Sequence, residues 1–124
     1  MKRRQIDEIG PPRGTDAVYS EFLRVPSMSA GVYAIPAGGT DPQQPHTEDE
    51  MYFVVSGRGR IRVGDEDAEV GPGTAVYVDA GVEHRFHTIA EDLTVLVVFS
   101  PAEYSRQADY LSFTTGVMEE EIEY

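Results

Sequence analysis

The stretch PQQPHTEDEMYFVVSG, residues 42–57, begins with polar and charged groups and continues into an apolar run. Successive residues of a β-strand point to opposite faces, so alternate residues share one face: Gln44, His46, Glu48 and Glu50. Tyr52 and Val54 continue that face and predict that it turns inward. A carboxylate beside an imidazole in an apolar interior is costly unless a cation offsets the charge. The stretch therefore predicts either a solvated strand edge or a metal site inside a barrel.

The rest of the chain reads as short strands separated by turn sequences. Runs rich in β-branched and aromatic residues occupy residues 30–35, 51–55, 60–63, 74–78, 85–89 and 93–99. Turn signals recur at roughly the 8–12-residue spacing that is typical of antiparallel sandwiches and barrels. We expect about eight or more short strands. We expect at most one short helix, after Pro101.

Composition narrows the class of protein. The chain has 124 residues, which suits one domain, and a formal net charge of −12, which disfavours nucleic acid and anionic membranes as partners. It has no cysteine, so metal ligands must come from histidine, carboxylate, amide or water. No apolar run reaches the roughly 20 residues that span a bilayer, and none follows the basic start as in a signal peptide. We therefore expect a cytoplasmic protein.

A second segment, GPGTAVYVDAGVEHRFHT at residues 71–88, supplies another histidine at the start of a strand. Strand parity groups His84 with Phe86 and sends His87 to the opposite face. Two imidazoles and one carboxylate on rigid strands would leave coordination positions open. Such a set suits Fe(II) and also accepts Mn(II), Ni(II), Co(II) or Zn(II).

These two segments resemble the two motifs of the cupin superfamily. The first family motif is Gly, five residues, His-x-His, three or four residues, Glu, six residues, Gly; here the matching positions are Gly38, Gln44, His46, Glu50 and Gly57. The second is Gly, five residues, Pro-x-Gly, two residues, His, three residues, Asn; here they are Gly73, Asp79, Gly81, His84 and Thr88. Gln44, Asp79 and Thr88 depart from the family pattern, and Gln44 matters most because an amide oxygen is a weaker donor than imidazole.

The resemblance is to a small single-domain cupin and implies an all-β antiparallel jelly-roll, or double-stranded β-helix, barrel. The barrel core would span about residues 29–101 of a single domain 1–124, with an N-terminal arm at 1–17 and a C-terminal extension at 102–124. One divalent transition metal (Fe, Mn, Ni, Cu or Zn) is expected near the barrel centre on His46, Glu50 and His84. Gln44 is expected beside it, either as a fourth ligand or hydrogen-bonded to a metal-bound water. Glu50 could also act as a catalytic base. The expected substrate pocket is formed by Tyr33, Tyr52 and Phe86. Apart from the resemblance, strand geometry places Glu48 at the solvated rim, unless the strand is regular and points it inward as an alternative ligand.

The family implies a small-molecule substrate or ligand without fixing the chemistry. A metal-dependent enzyme of dioxygenase type is favoured over an isomerase or lyase. The alternative is a ligand-binding cupin that has a vestigial metal site or none.

The oligomeric state is predicted from a different feature of the sequence. The run LTVLVVF, residues 93–99, is apolar on both faces, so its outer face needs a cover. A homodimer, covered by residues 18–25 or by the tail from Tyr110, is expected, and cover from the same chain is the competing explanation.

Overall fold

The computed structural model describes residues 1–9, 16–42 and 46–104. The described chain contains six strands: β1 (Val18–Val25), β2 (Met28–Ile35), β3 (Asp49–Val63), β4 (Glu66–Val70), β5 (Ala75–Val78) and β6 (His84–Ser100). A single short 3-10 helix, Ile6–Glu8, precedes them. All strand pairings are antiparallel, which confirms the predicted all-β antiparallel class. No helix in the described residues is long and apolar enough to cross a membrane.

The strands form one sheet in the order β1-β2-β6-β3-β4, with β5 also paired to β3. Strand alternation fills the interior with one face of each long strand. In β3 the inward residues begin with Glu50, Tyr52 and Val54, and in β6 they include Leu93, Val95, Val97 and Phe99. The predicted inward turn of the Glu50 face is therefore confirmed. The resulting core also contains Tyr33, Ile35, Ile61, Val70, Val78, Phe86 and Ile89.

The strands are fewer and longer than the sequence predicts. Residues 51–55 and 60–63 belong to the same 15-residue strand, and residues 85–89 and 93–99 to the same 17-residue strand. The pairing of β3 with β6 shifts register three times between Val54 and Arg60, so the strands bend there instead of ending. Gly57 allows the bend, because it has a φ of +93° and packs its α-carbon against the Asp92 carbonyl. Bulges and turns use the same residue types, so the sequence SGRG at residues 56–59 resembles a turn although the strand continues through it.

The segment after β6 leaves the barrel at Ser100 and turns back across one end. The described part, residues 101–104, contains turn conformations and no helix. The Glu103 amide donates to Ser29 Oγ at 2.8 Å, and Arg24 Nη2 donates to the Glu103 carbonyl at 3.0 Å. These bonds attach the segment to β1 and β2. The rest of the predicted C-terminal helix lies outside the described residues.

The N-terminal residues 1–9 lie against the outer face of β2, β6 and β3. A groove of about 570 Å³ separates them from that face and is lined by Arg4, Gln5, Ile6, Asp7, Ile9, Val32, Ala34, Val55, Ser56 and Thr94. Ile9 is buried, as are Val32 and Ala34 beneath the groove. Cover from the same chain therefore accounts for part of this face. Beyond it, Met51, Phe53 and Tyr77 remain exposed.

Candidate metal centre

Backbone hydrogen bonds bring the two sequence motifs together. The Gly81 amide donates to the His46 carbonyl at 2.6 Å, and the Ala80 amide donates to Asp49 Oδ1 at 2.9 Å. β5 pairs with the start of β3, so that Val78 lies opposite Glu50. The turn after β5 then returns the chain to the first residue of β6. His84 is consequently fixed against the first motif by main-chain geometry.

His46, Glu50 and His84 form a compact cluster of potential metal ligands. One ligand atom from each residue lies within 4.8 Å of the other two. Glu50 and His84 are 2% and 4% exposed, and His46 is partly buried. The side chains come from the start of β3, the residues just before it and the start of β6. The structure therefore brings together three of the four predicted ligands.

The hydrogen bond at the back of His84 fixes its tautomer. His84 Nδ1 lies 2.8 Å from the Val82 carbonyl oxygen, which can only accept, so Nδ1 carries the proton. In the neutral ring, Nε2 then presents its lone pair toward Glu50 Oε1, 3.0 Å away. Two acceptors at that distance repel each other unless a proton or a metal cation lies between them. Metal-binding histidines are commonly oriented by such a bond from the second ring nitrogen.

The Glu50 carboxylate supports the same interpretation. Both of its oxygens are buried without a hydrogen-bond partner, and Oε1 lies 3.0 Å from His84 Nε2. Burial acts to lower the pKa of His84. The Glu50 carboxylate and the Val82 carbonyl outweigh that effect and raise the pKa above its ordinary value. A divalent cation would satisfy Glu50 and take the place of the proton on His84, so the donor set fits a transition metal.

His46 is oriented by aromatic rings and by a carboxylate that lies beyond β6. Its ring packs edge-on against Phe99 at a centroid distance of 4.8 Å and lies 6.0 Å from Tyr104. Its Nδ1 is 3.7 Å from Glu103 Oε2. Burial is the main cause that lowers the pKa of His46, and it outweighs the nearby Glu50 carboxylate. The imidazole is therefore held in the neutral form that ligates metals.

Two buried carboxylates near the cluster were not anticipated. Glu103 is 7% exposed, and its position shortly after Pro101 gives no indication in the sequence that it is buried. Asp41 is fully buried, accepts a hydrogen bond from the Tyr33 hydroxyl and accepts another from the Phe86 amide at 2.9 Å. The sequence TDP around Asp41 is typical of a turn and gives no sign that Asp41 is buried. Asp41 is satisfied by these donors and has a structural role between β2 and β6.

The favoured expectation of a solvated Glu48 is wrong, and the inward alternative is correct, because the side chain is 1% exposed. Glu48 does not join the ligand cluster of His46, Glu50 and His84. Its Oε2 accepts a hydrogen bond from the hydroxyl of Thr47, while Oε1 has no hydrogen-bond partner. Glu48 has the same strand parity as Glu50 and points inward with it, although strand β3 begins only at Asp49. The parity argument for His87 is confirmed, since its Nε2 lies 2.8 Å from Asp67 Oδ2 and away from the cluster.

The remaining predicted site residues are Gln44 and three aromatic residues. Gln44 lies outside the described residues and stays a prediction. The predicted pocket residues Tyr33, Tyr52 and Phe86 all belong to the buried core. The Tyr52 ring lies 5.9 Å from His84 and 4.8 Å from Phe86, so it borders the cluster. That these rings contact a substrate remains a prediction.

Thr88, one of the departures from the cupin motif, has a φ of +51°. Asparagine, the family residue at that position, tolerates this left-handed conformation better than a β-branched side chain does. Its hydroxyl compensates in part by bonding His87 Nδ1 at 2.9 Å. The departure therefore affects the scaffold and leaves the cluster intact.

Comparisons with known proteins agree with this geometry. The family profile for the cupin domain matches residues 31–99. The uncharacterized protein SCO3923 of Streptomyces coelicolor is 56% identical over 104 residues, which cover 83% of this chain and 99% of that protein. The crystal structure of TT1209 from Thermus thermophilus has a TM-score of 0.72 at 24% identity, covering 82% of this chain and 99% of that one.

An enzyme is also among the similar structures. The DMSP lyase DddQ from Ruegeria pomeroyi is 28% identical, with a TM-score of 0.58. The match covers 61% of this chain but only 39% of that one, so it extends to part of the enzyme alone. With the profile match over more than half of its length, and with both sequence motifs joined at one cluster, this chain belongs to the cupin family.

Proposed function

We propose that this protein is a metal-dependent enzyme that acts on a small organic molecule. The observation that carries the proposal is the buried convergence of His46, Glu50 and His84, with both Glu50 oxygens lacking hydrogen-bond partners. An unpaired buried carboxylate is expensive, and a divalent cation is the simplest group that offsets it. Gln44 is proposed as a fourth ligand beside the other three.

The chain's own residues would divide the work at this centre. His84 would present Nε2 as a ligand because Val82 holds the proton on Nδ1. His46 would bind as a neutral ring supported by Phe99. Glu50 would act as a ligand or as a base toward the substrate. A bound metal would supply Lewis acidity or, if redox-active, oxygen chemistry.

Two reaction classes are consistent with this ligand set. Family resemblance favours a dioxygenase-type reaction. The partial similarity to the lyase DddQ supports a lyase or isomerase reaction that depends on Lewis acidity alone. A cupin that binds a small ligand without turnover is the alternative to both.

Metal analysis of untagged protein, purified without chelators, separates these possibilities. Iron or another redox metal at near-stoichiometric content supports oxygen chemistry, whereas zinc or manganese supports the lyase or isomerase class. Purified protein that contains no metal, and that retains none after reloading, would contradict the metalloenzyme and favour the binding protein. A His84→Ala variant purified in parallel controls for metal bound elsewhere on the acidic surface.

A further inference from the structure

The buried atoms that lack hydrogen-bond partners are nearly all acceptors. Among the described residues these atoms are Glu48 Oε1, both oxygens of Glu50 and the hydroxyl of Tyr19. An ionised carboxylate can only accept hydrogen bonds or contact cations. The unfilled requirement of this region is therefore for donors and positive charge.

Glu48 is the acceptor that the proposed metal does not explain. Its ligand atoms fall outside the cluster of His46, Glu50 and His84. Thr47 satisfies one oxygen, and the other is buried without a partner in a side chain that is 1% exposed. An uncompensated buried carboxylate is one of the more costly features a core can contain. Glu48 thus points to a positively charged partner distinct from the metal.

Glu48 is buried beside the residues of the candidate metal centre. It lies between His46 and Glu50 in the chain, with the same strand parity as both. Burial is the main cause of the raised pKa of Glu103, about 7, and the Glu48 carboxylate is one of the groups that raise it further. Glu103 in turn lies 3.7 Å from His46. Glu48 is therefore electrostatically coupled to the side chains around the cluster.

Among the described residues, no lysine or arginine is buried where it could balance Glu48. The buried polar residues in the described chain are Ser29, Asp41, Glu48, Glu50, His84 and Glu103. Arg24 is the basic residue attached to this end of the barrel, and its guanidinium bonds Glu21 and the Glu103 carbonyl. One divalent cation does not balance the buried carboxylates of this region, which are Asp41, Glu48, Glu50 and Glu103. An anionic ligand would add to this excess of negative charge, whereas a cationic ligand would meet the oxygen of Glu48 that lacks a partner.

We propose that Glu48 binds a protonated amine of the substrate, next to the metal held by His46, Glu50 and His84. The inference rests on the proposed metal site and extends it by naming the substrate class: small molecules with a primary ammonium group. An ammonium offers both requirements of Glu48 Oε1, because it carries positive charge and three N–H donors. The metal would hold another part of the same molecule.

The test is calorimetric titration of metal-loaded protein with four probes of similar size: n-butylammonium, n-butanol, tetramethylammonium and butyrate. Butylammonium should bind wild type at least about tenfold more tightly than butanol or butyrate, the scale expected for a charge-assisted hydrogen bond. Tetramethylammonium carries the charge without an N–H donor and should bind more weakly than butylammonium. Glu48→Gln should remove most of the preference for butylammonium, while Glu66→Gln, at an exposed position, should keep it.

The comparison among probes uses wild type alone, so it holds even if Glu48→Gln folds poorly. Absent or unselective butylammonium binding by protein that retains its metal would overturn the inference and leave the metal proposal standing. Equal binding by wild type and folded Glu48→Gln would also overturn it. Failure of wild type to retain any metal would contradict the proposed function, and butylammonium titration of that metal-free protein would still report on Glu48. A preference for butylammonium there, lost in Glu48→Gln, would support the ammonium site.

Discussion

At the scale of single residues, Glu50 and His84 show how burial and charge define the centre. Their side chains are almost fully buried and 3.0 Å apart, so one positive charge is required between them. Without metal that charge is a proton, and the pKa of His84 is accordingly raised despite its burial. A bound metal would compete with this proton for the same nitrogen.

This competition predicts how metal affinity depends on pH. His84 must lose its proton to ligate, and its raised pKa places that loss above the ordinary histidine value of 6.5. Affinity for Zn(II) or Mn(II) should therefore decrease as pH falls toward and below neutrality, by up to about tenfold per pH unit for one released proton. Calorimetric titrations with metal at several pH values measure this dependence of affinity on pH. Affinity that stays constant between about pH 8 and 6 would show that no such proton is displaced.

Glu103 predicts a pH dependence of stability in the metal-free protein. Burial raises its pKa to about 7 from an ordinary 4.5, so the folded state binds the extra proton. The proton on Glu103 therefore stabilises the folded state fully below about pH 4.5, and this stabilisation is lost as the pH rises through about 7. Relative to Glu103→Gln, which cannot ionise, the wild-type free energy of unfolding should fall by on the order of 2 kcal/mol across that range.

Urea unfolding of both proteins in chelator, at about pH 5 and pH 8, measures the difference. The exposed Glu91→Gln variant provides the matched control and should follow wild type. Identical pH dependence in wild type and Glu103→Gln would mean that Glu103 does not hold the proton.

Residue-level prediction succeeded where a local rule decided the outcome. Strand parity and motif spacing located His46, Glu50 and His84 and separated them from His87. The burial of Asp41, Glu48 and Glu103 could not be read in the same way. A carboxylate becomes buried through partners that are distant in the chain, such as the Phe86 amide for Asp41, 45 positions away. Composition and periodicity contain no signal for such partners.

At the scale of elements, the long strands β3 and β6 determine where the site forms. Prediction of their segments was correct, but their continuity was missed because glycine-rich bulges resemble turns. The register shifts between Val54 and Arg60 bend β3 across β6, so that one strand reaches from the cluster to the opposite end of the barrel. A strand that ended at Gly57 would leave the two halves of the barrel to pair independently.

Two glycines with nearly the same backbone conformation test this bend. Gly57 and Gly73 have φ values of +93° and +91°, but a Cβ on Gly57 would overlap the Asp92 carbonyl, whereas a Cβ on Gly73 meets nothing within 4 Å. Gly73→Ala should cost only the conformational strain, about 1–2 kcal/mol. Gly57→Ala should cost about 3 kcal/mol or more, because the backbone must also move. Chemical denaturation measures the free energy of unfolding of both variants. Equal losses of stability would show that the close contact between Gly57 and the Asp92 carbonyl does not constrain the bend.

At the scale of the whole molecule, the outer face of the barrel predicts association. Residues 1–9 cover only part of it, and Met51, Phe53, Val55 and Tyr77 are 43%, 39%, 40% and 58% exposed. Leu96 and Val98 of β6 pair beside Phe53 and Met51 and extend the apolar surface. Exposed apolar surface of this kind favours burial against a second molecule. We therefore maintain the prediction of a homodimer formed through this face.

Light scattering at micromolar concentration measures the assembly. Wild type should be dimeric, and Phe53→Glu should be monomeric because it places a charge in the centre of the apolar surface. Arg85→Glu, at an exposed position on β6, should remain dimeric. A monomeric wild type would rule out the dimer, and a dimeric Phe53→Glu would place the interface elsewhere.

Metal retention by wild type and a matched pair of histidine variants tests whether one divalent metal binds to His46, Glu50 and His84. Protein stripped by chelator is reloaded with Fe(II), Mn(II), Ni(II), Cu(II) or Zn(II), dialysed, and examined for metal content and melting temperature. Wild type and His87→Ala should retain close to one equivalent and melt several degrees higher than the stripped protein, whereas His84→Ala should lose both effects. If no metal is retained and none raises the melting temperature of wild type, or if His84→Ala behaves like wild type, the proposed centre is contradicted.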